Sequence, residues 1–161
     1  MNLKVIHSEK RLCPCCMEEH EVKTVCVMET ICFKDIPVEY EAAYFYCDAA
    51  EELYMGEDMI SRNDIAMKDA YRKQQGLLTS KQIRGIREKY GISQGDLCLL
   101  LGWDRKTIAR YESHQVQDIE HDAILKKMDQ DPEWFWHLLS EARENLSAEA
   151  YRKYQCKVDN G

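Results

Sequence analysis

Residues 92–112, ISQGDLCLLLGWDRKTIARYE, constrain the fold more than any other stretch of the chain. Ser93 is placed to cap a helix whose apolar Leu97, Leu100 and Leu101 share one face. Gly102 supplies a sharp break. Asp104 is placed to cap a second short helix, 104–112, that carries Ile108 and Tyr111 inward. Arg105, Lys106, Thr107 and Arg110 then fall on the opposite face. Two short helices about a glycine turn make a helix-turn-helix, and long donor-bearing side chains on its exposed face suit phosphate oxygens and the acceptor edge of guanine. The competing reading is an ordinary pair of packed helices with a solvated charged face.

A net charge of −7 over 161 residues argues against a nucleic-acid partner until it is divided. Residues 1–61 carry five Lys/Arg against thirteen Asp/Glu, 62–111 carry eleven against five, and 112–161 carry six against eleven. The positive charge is confined to the block that holds the two short helices, which is what local counterion release on DNA requires. An apolar content of 45% is enough for a real core. No run of about 18 apolar residues is present, and the amino terminus has no apolar leader, so the expectation is a soluble, cytoplasmic chain with no membrane partner. Eight cysteines then read as reduced thiols rather than a disulfide scaffold.

The amino-terminal block is of another kind. Residues 20–33 and 37–47 are rich in Val, Ile, Phe and Tyr, and 34–37 (KDIP) reads as the turn between them in a meander or hairpin. Upstream, Cys13-Pro14-Cys15-Cys16 gives Cys13 and Cys16 the C-x2-C spacing of a knuckle, in which two thiolates converge on one Zn²⁺. Cys47 is a third candidate ligand. The residue three positions further on, where a second pair would close, is Ala50. Cys15, Cys26, Cys32, His7, His20 and Asp48 are the substitutes the sequence offers for a fourth ligand, and it does not choose among them. A structural zinc and a vestigial site with packing cysteines both stay open.

Between the halves, 57–75 carries an imperfect apolar helical stripe that Gly76 can end. Thr79 with Gln82 forms a capping-box pattern before 80–90, whose Arg84, Arg87 and Lys89 enlarge the basic surface. Further on, 118–128 is a capped amphipathic helix and Asp131-Pro132 opens another. Ser147 caps a last helical stretch, and 157–161 reads as a frayed end. His114 and His121 have no ligand partners at metal spacing and read as surface or capping residues. The expected class is α+β. It comprises a cysteine-rich β domain (1–56), a helical connector (57–76), a helix-turn-helix domain (77–145) and a helical tail (146–161).

Ser93-Gln94, Leu97, Gly102, Ile108 and Tyr111-Glu112 resemble the Xre/lambda-repressor type of helix-turn-helix. The resemblance implies a bundle of about five helices with 104–112 as the recognition helix, and a phosphate contact from Gln94. Cys98 stands where alanine is usual, and Trp103 where Val or Ile is usual; the indole packs on the bundle or lies against the DNA backbone. The order of knuckle, strand pair ending in a cysteine, helical connector and DNA-binding bundle resembles MqsA (YgiT)-type antitoxins over roughly 12–140. Cys13, Cys16 and Cys47 match their zinc site, and Ala50 departs from it.

The resemblance implies an autoregulatory repressor. It would bind operator DNA as a homodimer, with Gln94, Trp103, Arg105, Lys106, Thr107 and Arg110 at the DNA and a toxin held by the front domain. The apolar Trp134, Phe135, Leu138 and Leu139 read first as completing the core, and the exposed apolar residues after 130 are the candidate dimer contact. A stand-alone Xre-type regulator without a toxin is the alternative. A thiol- or metal-dependent enzyme built on the amino-terminal cysteines is a further one, disfavoured because no phosphate loop and no acid/base constellation accompany them. Proteins of this kind often continue into a further domain, so the chain is also readable as the front portion of a longer one.

Overall fold

A two-residue turn between the two long strands uses non-glycine residues in the left-handed region. In a computed structural model, which describes residues 2–159, Lys34 and Asp35 have φ of 49° and 64°. Two successive positive φ values give the twist that joins antiparallel strands through a two-residue loop. They connect β2 (Glu19–Phe33) to β3 (Ile36–Cys47), which pair from Phe33–Ile36 down to Lys23–Tyr46. The expected strand pair is therefore present, each strand beginning one residue earlier than 20–33 and 37–47.

Two strands escaped the sequence reading. β1 (Lys4–Leu12) pairs antiparallel with β2, and β4 (Glu52–Tyr54) with the end of β3, so the sheet is a four-stranded antiparallel meander in chain order. β1 is exposed along nearly all its length. It therefore lacks the in–out alternation by which strands are recognised, and its Lys4, Lys10 and Arg11 are the kind of charge that keeps an open edge from pairing with another chain.

The chain divides into two units, 1–71 and 72–161, and the boundary falls within α1 (Glu57–Gln75). In the first unit Val25, Val38 and Ala42 are fully buried, Val22 packs in a separate cluster with Cys13 and Cys47, and Met59 and Met67 of α1 are buried as well. Beyond the short β4 the edge of β3 is open, and Asn63 fills it. Its Oδ1 accepts from the Ala43 amide at 2.8 Å, and its Nδ2 donates to the Ala43 carbonyl at 2.9 Å. One side chain thus satisfies both groups as a neighbouring strand would. Phe33 and Tyr71 meet edge to face, with centroids 5.0 Å apart.

The second unit is helical: α2 (Ser80–Tyr90), α3 (Gln94–Leu101), α4 (Thr107–Tyr111), α5 (Ile119–Gln130), α6 (Pro132–Glu141), a 3-10 turn at 143–145 and α7 (Ala148–Asp159). The expected start signals act as read. Thr79 and Gln82 close a capping box, and Ser93, Asp118 and Asp131 each accept an amide of the helix that follows. Gly91 and Gly102 end α2 and α3 in the left-handed conformation.

Asp104 departs from expectation. Its carboxylate accepts the Lys106 amide, and α4 begins only at Thr107 with no side-chain cap. Ile83, Leu97, Ile108, Leu125, Met128, Phe135 and Leu139 fill the core, to which Leu146 and, from α7, Tyr154 contribute. Residues 157–159, expected to fray, are helical, and 160–161 lie outside the described residues. Among the described residues no helix is long and apolar enough to cross a membrane.

A buried polar chain fixes the entry to this bundle. Asp122, 2% exposed, accepts from the Leu78 amide at 2.8 Å and from Gln117 at 3.0 Å, and pairs with Lys126 at 2.7 Å. Burial works against its charge, but the Lys126 ammonium and these hydrogen bonds outweigh it and hold the carboxyl below its ordinary value of 3.8. A depressed value means that the contribution to stability is complete above pH 3.8 and is lost as acid titrates the folded carboxylate. Asp122→Ala should cost about 1–3 kcal/mol at pH 7 by stranding those donors. In urea melts of wild type and variant, the difference should shrink as the pH falls below 3.8.

Candidate functional site

Cys13 follows β1, Cys16 and the exposed Met17 turn the chain, and His20 is the second residue of β2. The loop closes on itself: the Cys13 amide donates to Glu18 O at 2.9 Å and the Met17 amide to Cys13 O at 2.8 Å. Met17 takes a positive φ of 61° to make this turn. Cys47 ends β3, two strands from β1. The ligand atoms of Cys13, Cys16, His20 and Cys47 all lie within 4.8 Å of one another, and this cluster can hold a metal ion. Bonds of about 2.3 Å to sulfur in a tetrahedron set neighbouring sulfurs roughly 3.8 Å apart, so the spacing suits one small cation.

His20 supplies the fourth position that Ala50 leaves without a thiol. Its Nδ1–H donates to the Glu21 carbonyl at 2.9 Å, and its Nε2 faces the sulfurs, 3.6 Å from Cys47 Sγ. A ring nitrogen anchored to a carbonyl is how ligating histidines are held. Ala50 contributes its backbone instead, donating to Cys47 Sγ at 3.3 Å. The spacing Cys13-x2-Cys16-x3-His20 was the signal for this ligand in the sequence. Of the other substitutes, Asp48 pairs with Lys23 at 2.9 Å and Cys32 is exposed near the far end of the hairpin. Cys15 packs against the cluster without belonging to the four.

The surroundings favour a thiolate at Cys13 and oppose one at Cys16. Burial opposes the charge on Cys13, but backbone amides of Cys16 and Cys15 and the His20 ring bring its thiol down to about 6. The hydrogen bond to Cys13 in turn raises His20 to about 9. For Cys16 the Glu18 backbone bond favours the thiolate, yet burial and the neighbouring sulfurs raise it overall. The Tyr54 hydroxyl is buried without a hydrogen-bond partner and interacts with Cys13; burial, then that contact, pushes it up to about 12. A thiolate at Cys13 is the acceptor that this orphaned donor lacks. The donor set, two buried and two half-buried soft ligands, fits a cation that prefers sulfur and imidazole.

In the second unit, Arg105, Lys106 and Arg110 are exposed and Thr107 is half-buried. An open concavity of about 830 Å³ lies between the start of α3 and the approach to α4, lined by Ser93, Gln94, Gly95, Trp103, Arg105 and Lys106 among others. Trp103 packs on the bundle, its indole stacked on the His121 ring at 3.9 Å and 17°. His121, read as a surface or capping residue, is thus part of an aromatic cluster, and it also takes a 2.7 Å hydrogen bond with the Tyr111 hydroxyl.

Some of the expected basic surface turns inward. Glu112, 3% exposed, receives Arg87 through Nε at 3.0 Å and Nη2 at 2.9 Å, with Arg84 at 3.4 Å and the Gln94 amide at 3.3 Å. Lys89 is bound to Asp129 and its carbonyl. Arg84 remains half-exposed. No family model, curated protein or solved structure matches this chain. Removing the carboxylate with Glu112→Ala should lower the stability of the helical unit by about 3 kcal/mol, the low end for a broken buried pair because both arginines can turn toward water. Chemical denaturation followed by helical circular dichroism measures this.

Proposed function

We propose that the protein is a sequence-reading DNA-binding regulator whose recognition element is α4 with the turn before it. The observation that carries this reading is the exposure of Arg105, Lys106 and Arg110, with Arg105 and Lys106 lining the concavity beside the start of α3, while Leu97, Leu100 and Ile108 are buried in the core. Unpaired or weakly paired guanidinium and ammonium groups at a concave surface fit phosphates and the guanine edge. Arg110 and Lys106 are assigned to base edges, Arg105 and Thr107 to the backbone. Gln94 and Trp103 line the concavity beside them, the indole braced on the His121 ring. Double-stranded operator DNA is the partner, read by a homodimer because one helix spans only a few base pairs. No catalytic step belongs to this reading.

Replacing Arg110 by Ala should weaken binding to a selected duplex by about 1–3 kcal/mol and relax preference at one base position. A mobility-shift titration over a salt series, with single-base variants of the duplex, measures both. An equal loss on every duplex would reassign Arg110 to phosphate, and a wild-type protein that selects no sequence would overturn the reading.

The cluster of the first unit is assigned a structural zinc, bound by Cys13, Cys16, His20 and Cys47. When bound, the ion supplies a cross-link between the knuckle and the end of β3; it supplies no chemistry of reaction. Elemental analysis of the purified protein should find close to one zinc per chain. Cys13→Ser with Cys16→Ser should abolish it and melt the sheet while the helical unit stays cooperative, because ligation and folding of so small a unit are coupled. Zinc-free protein whose sheet melts unchanged in the double variant would make these cysteines packing residues. The exposed Ile31, Met55 and Ile60, which line one shallow concavity in a unit with an excess of acidic residues, also support an antitoxin role for this unit, with a basic toxin as partner. Co-purification with the product of a small basic reading frame beside its own gene distinguishes that role from a stand-alone regulator.

A further inference from the structure

Arg72, in the last turn of α1, is fully buried, an unusual location for a guanidinium. Its Nη2 donates to the Tyr111 carbonyl at 2.9 Å and to the Gln115 carbonyl at 2.5 Å, and its Nε donates to Gln117 Oε1 at 3.0 Å. Tyr111 is the last residue of α4, so its carbonyl is one of those a helix end leaves without an internal partner. Gln115 and Gln117 belong to the loop that follows. Gln117, itself 2% exposed, passes the contact on to Leu78 O at 2.7 Å and Asp122 at 3.0 Å. One planar fork therefore gathers the end of α4 and the loop behind it onto α1, a geometry that the single point of a lysine does not reproduce.

The five residues of α4 are too few to hold a helix by themselves, and the helix has no side-chain cap at its start. Its orientation is set by what grips it: Ile108 in the core, Glu112 on the α2 side and Arg72 at its carboxyl end. We propose that Arg72 is a positioning residue for α4. By clamping the end of that helix and the 112–117 loop it holds Lys106 and Arg110 in the register that reads base edges, an inference that rests on the DNA-binding reading above. Phosphate contacts tolerate a loosened helix, because charge acts over several ångströms. Bidentate contacts to a base edge do not. The predicted signature is a loss of discrimination rather than of binding.

The test compares wild type, Arg72→Lys and the gentler Gln117→Ala on two probes. One is a duplex enriched by the wild-type protein from a random double-stranded pool, the other a scrambled duplex of equal length. Thermal melts and amide hydrogen exchange are recorded on the free proteins. In each folded variant the ratio of selected to scrambled affinity should fall roughly 10-fold, the value of one base contact, with scrambled affinity and salt slope unchanged. The Gln115 amide, bonded to Arg110 O at 2.9 Å, should exchange faster while amides of α2 and α5 keep their protection. An unchanged ratio overturns the proposal, as does a parallel fall on both probes that tracks the melting temperature, or an undisturbed Gln115 amide. Failure of the wild-type protein to enrich any sequence is a different result, seen before a variant is made, and it removes the DNA-binding reading itself.

Discussion

The carboxylate of Glu112 is where α2, α3 and α4 are tied together. Arg87 and Arg84 reach it from α2, Gln94 from the first turn of α3, and its own backbone lies one residue past α4. Taking a carboxylate out of water costs several kcal/mol, and the bidentate Arg87 pair offsets this only when every partner is in place. Apolar residues of equal volume would pack such a junction as well, but without directional bonds they would not fix the angles between three helices. The consequence is geometric. The short α4 is held against α2 at one end of the motif, so the cations that precede and follow its first turn face outward together.

Helix boundaries were legible because capping chemistry is local. Thr79-Gln82, Ser93, Asp118, Asp131-Pro132 and the breaks at Gly76 and Gly102 depend on residues within one turn, and the structure forms each. Asp104 misled because an Asx-type bond to Lys106 competes with a true cap for the same side chain. β1 was illegible for a different reason: a strand exposed on both faces carries no periodicity, and only its partner β2 defines it. The candidate metal cluster was three-quarters legible from C-x2-C and Cys47. His20 stood among several substitutes, and its spacing from Cys16 gained weight only once the fold brought Cys47 beside it. The inward turn of Arg87 and the burial of Arg72 were the least legible features, since a charged residue on an amphipathic helix reads as solvated unless its distant partner is known.

Both units are small, and each completes a modest apolar core with a polar clasp. In the helical unit the clasp is Arg72–Gln117–Asp122–Lys126, in which each member satisfies the next. Such a network is worth its desolvation only when fully paired, and a half-paired one is worse than hydrocarbon. In the sheet unit the fully buried residues are mostly valines, alanines and cysteines, which remove little apolar area from water per residue. A four-stranded meander with so light a core depends on cross-links between its ends, and the convergence of Cys13 and Cys16 with Cys47 supplies the place for one.

Tyr54 makes the same point from the other side. Among the described residues its hydroxyl is the buried side-chain polar atom that lacks a partner, in a chain that otherwise satisfies Asn63, Arg72, Gln117 and Asp122 in full view of their neighbours. An unmet phenol donor costs about 1–3 kcal/mol, enough that an unused one would be replaced by phenylalanine at no loss of packing. Its neighbour is Cys13, whose thiol is the one drawn furthest toward the anion. A neutral thiol is a weak acceptor, whereas a thiolate that shares its charge with a cation still accepts well. A charged sulfur at Cys13 is therefore the acceptor that suits the orphaned hydroxyl, and it sits beside two more thiols and an imidazole in a cluster that can hold a metal ion.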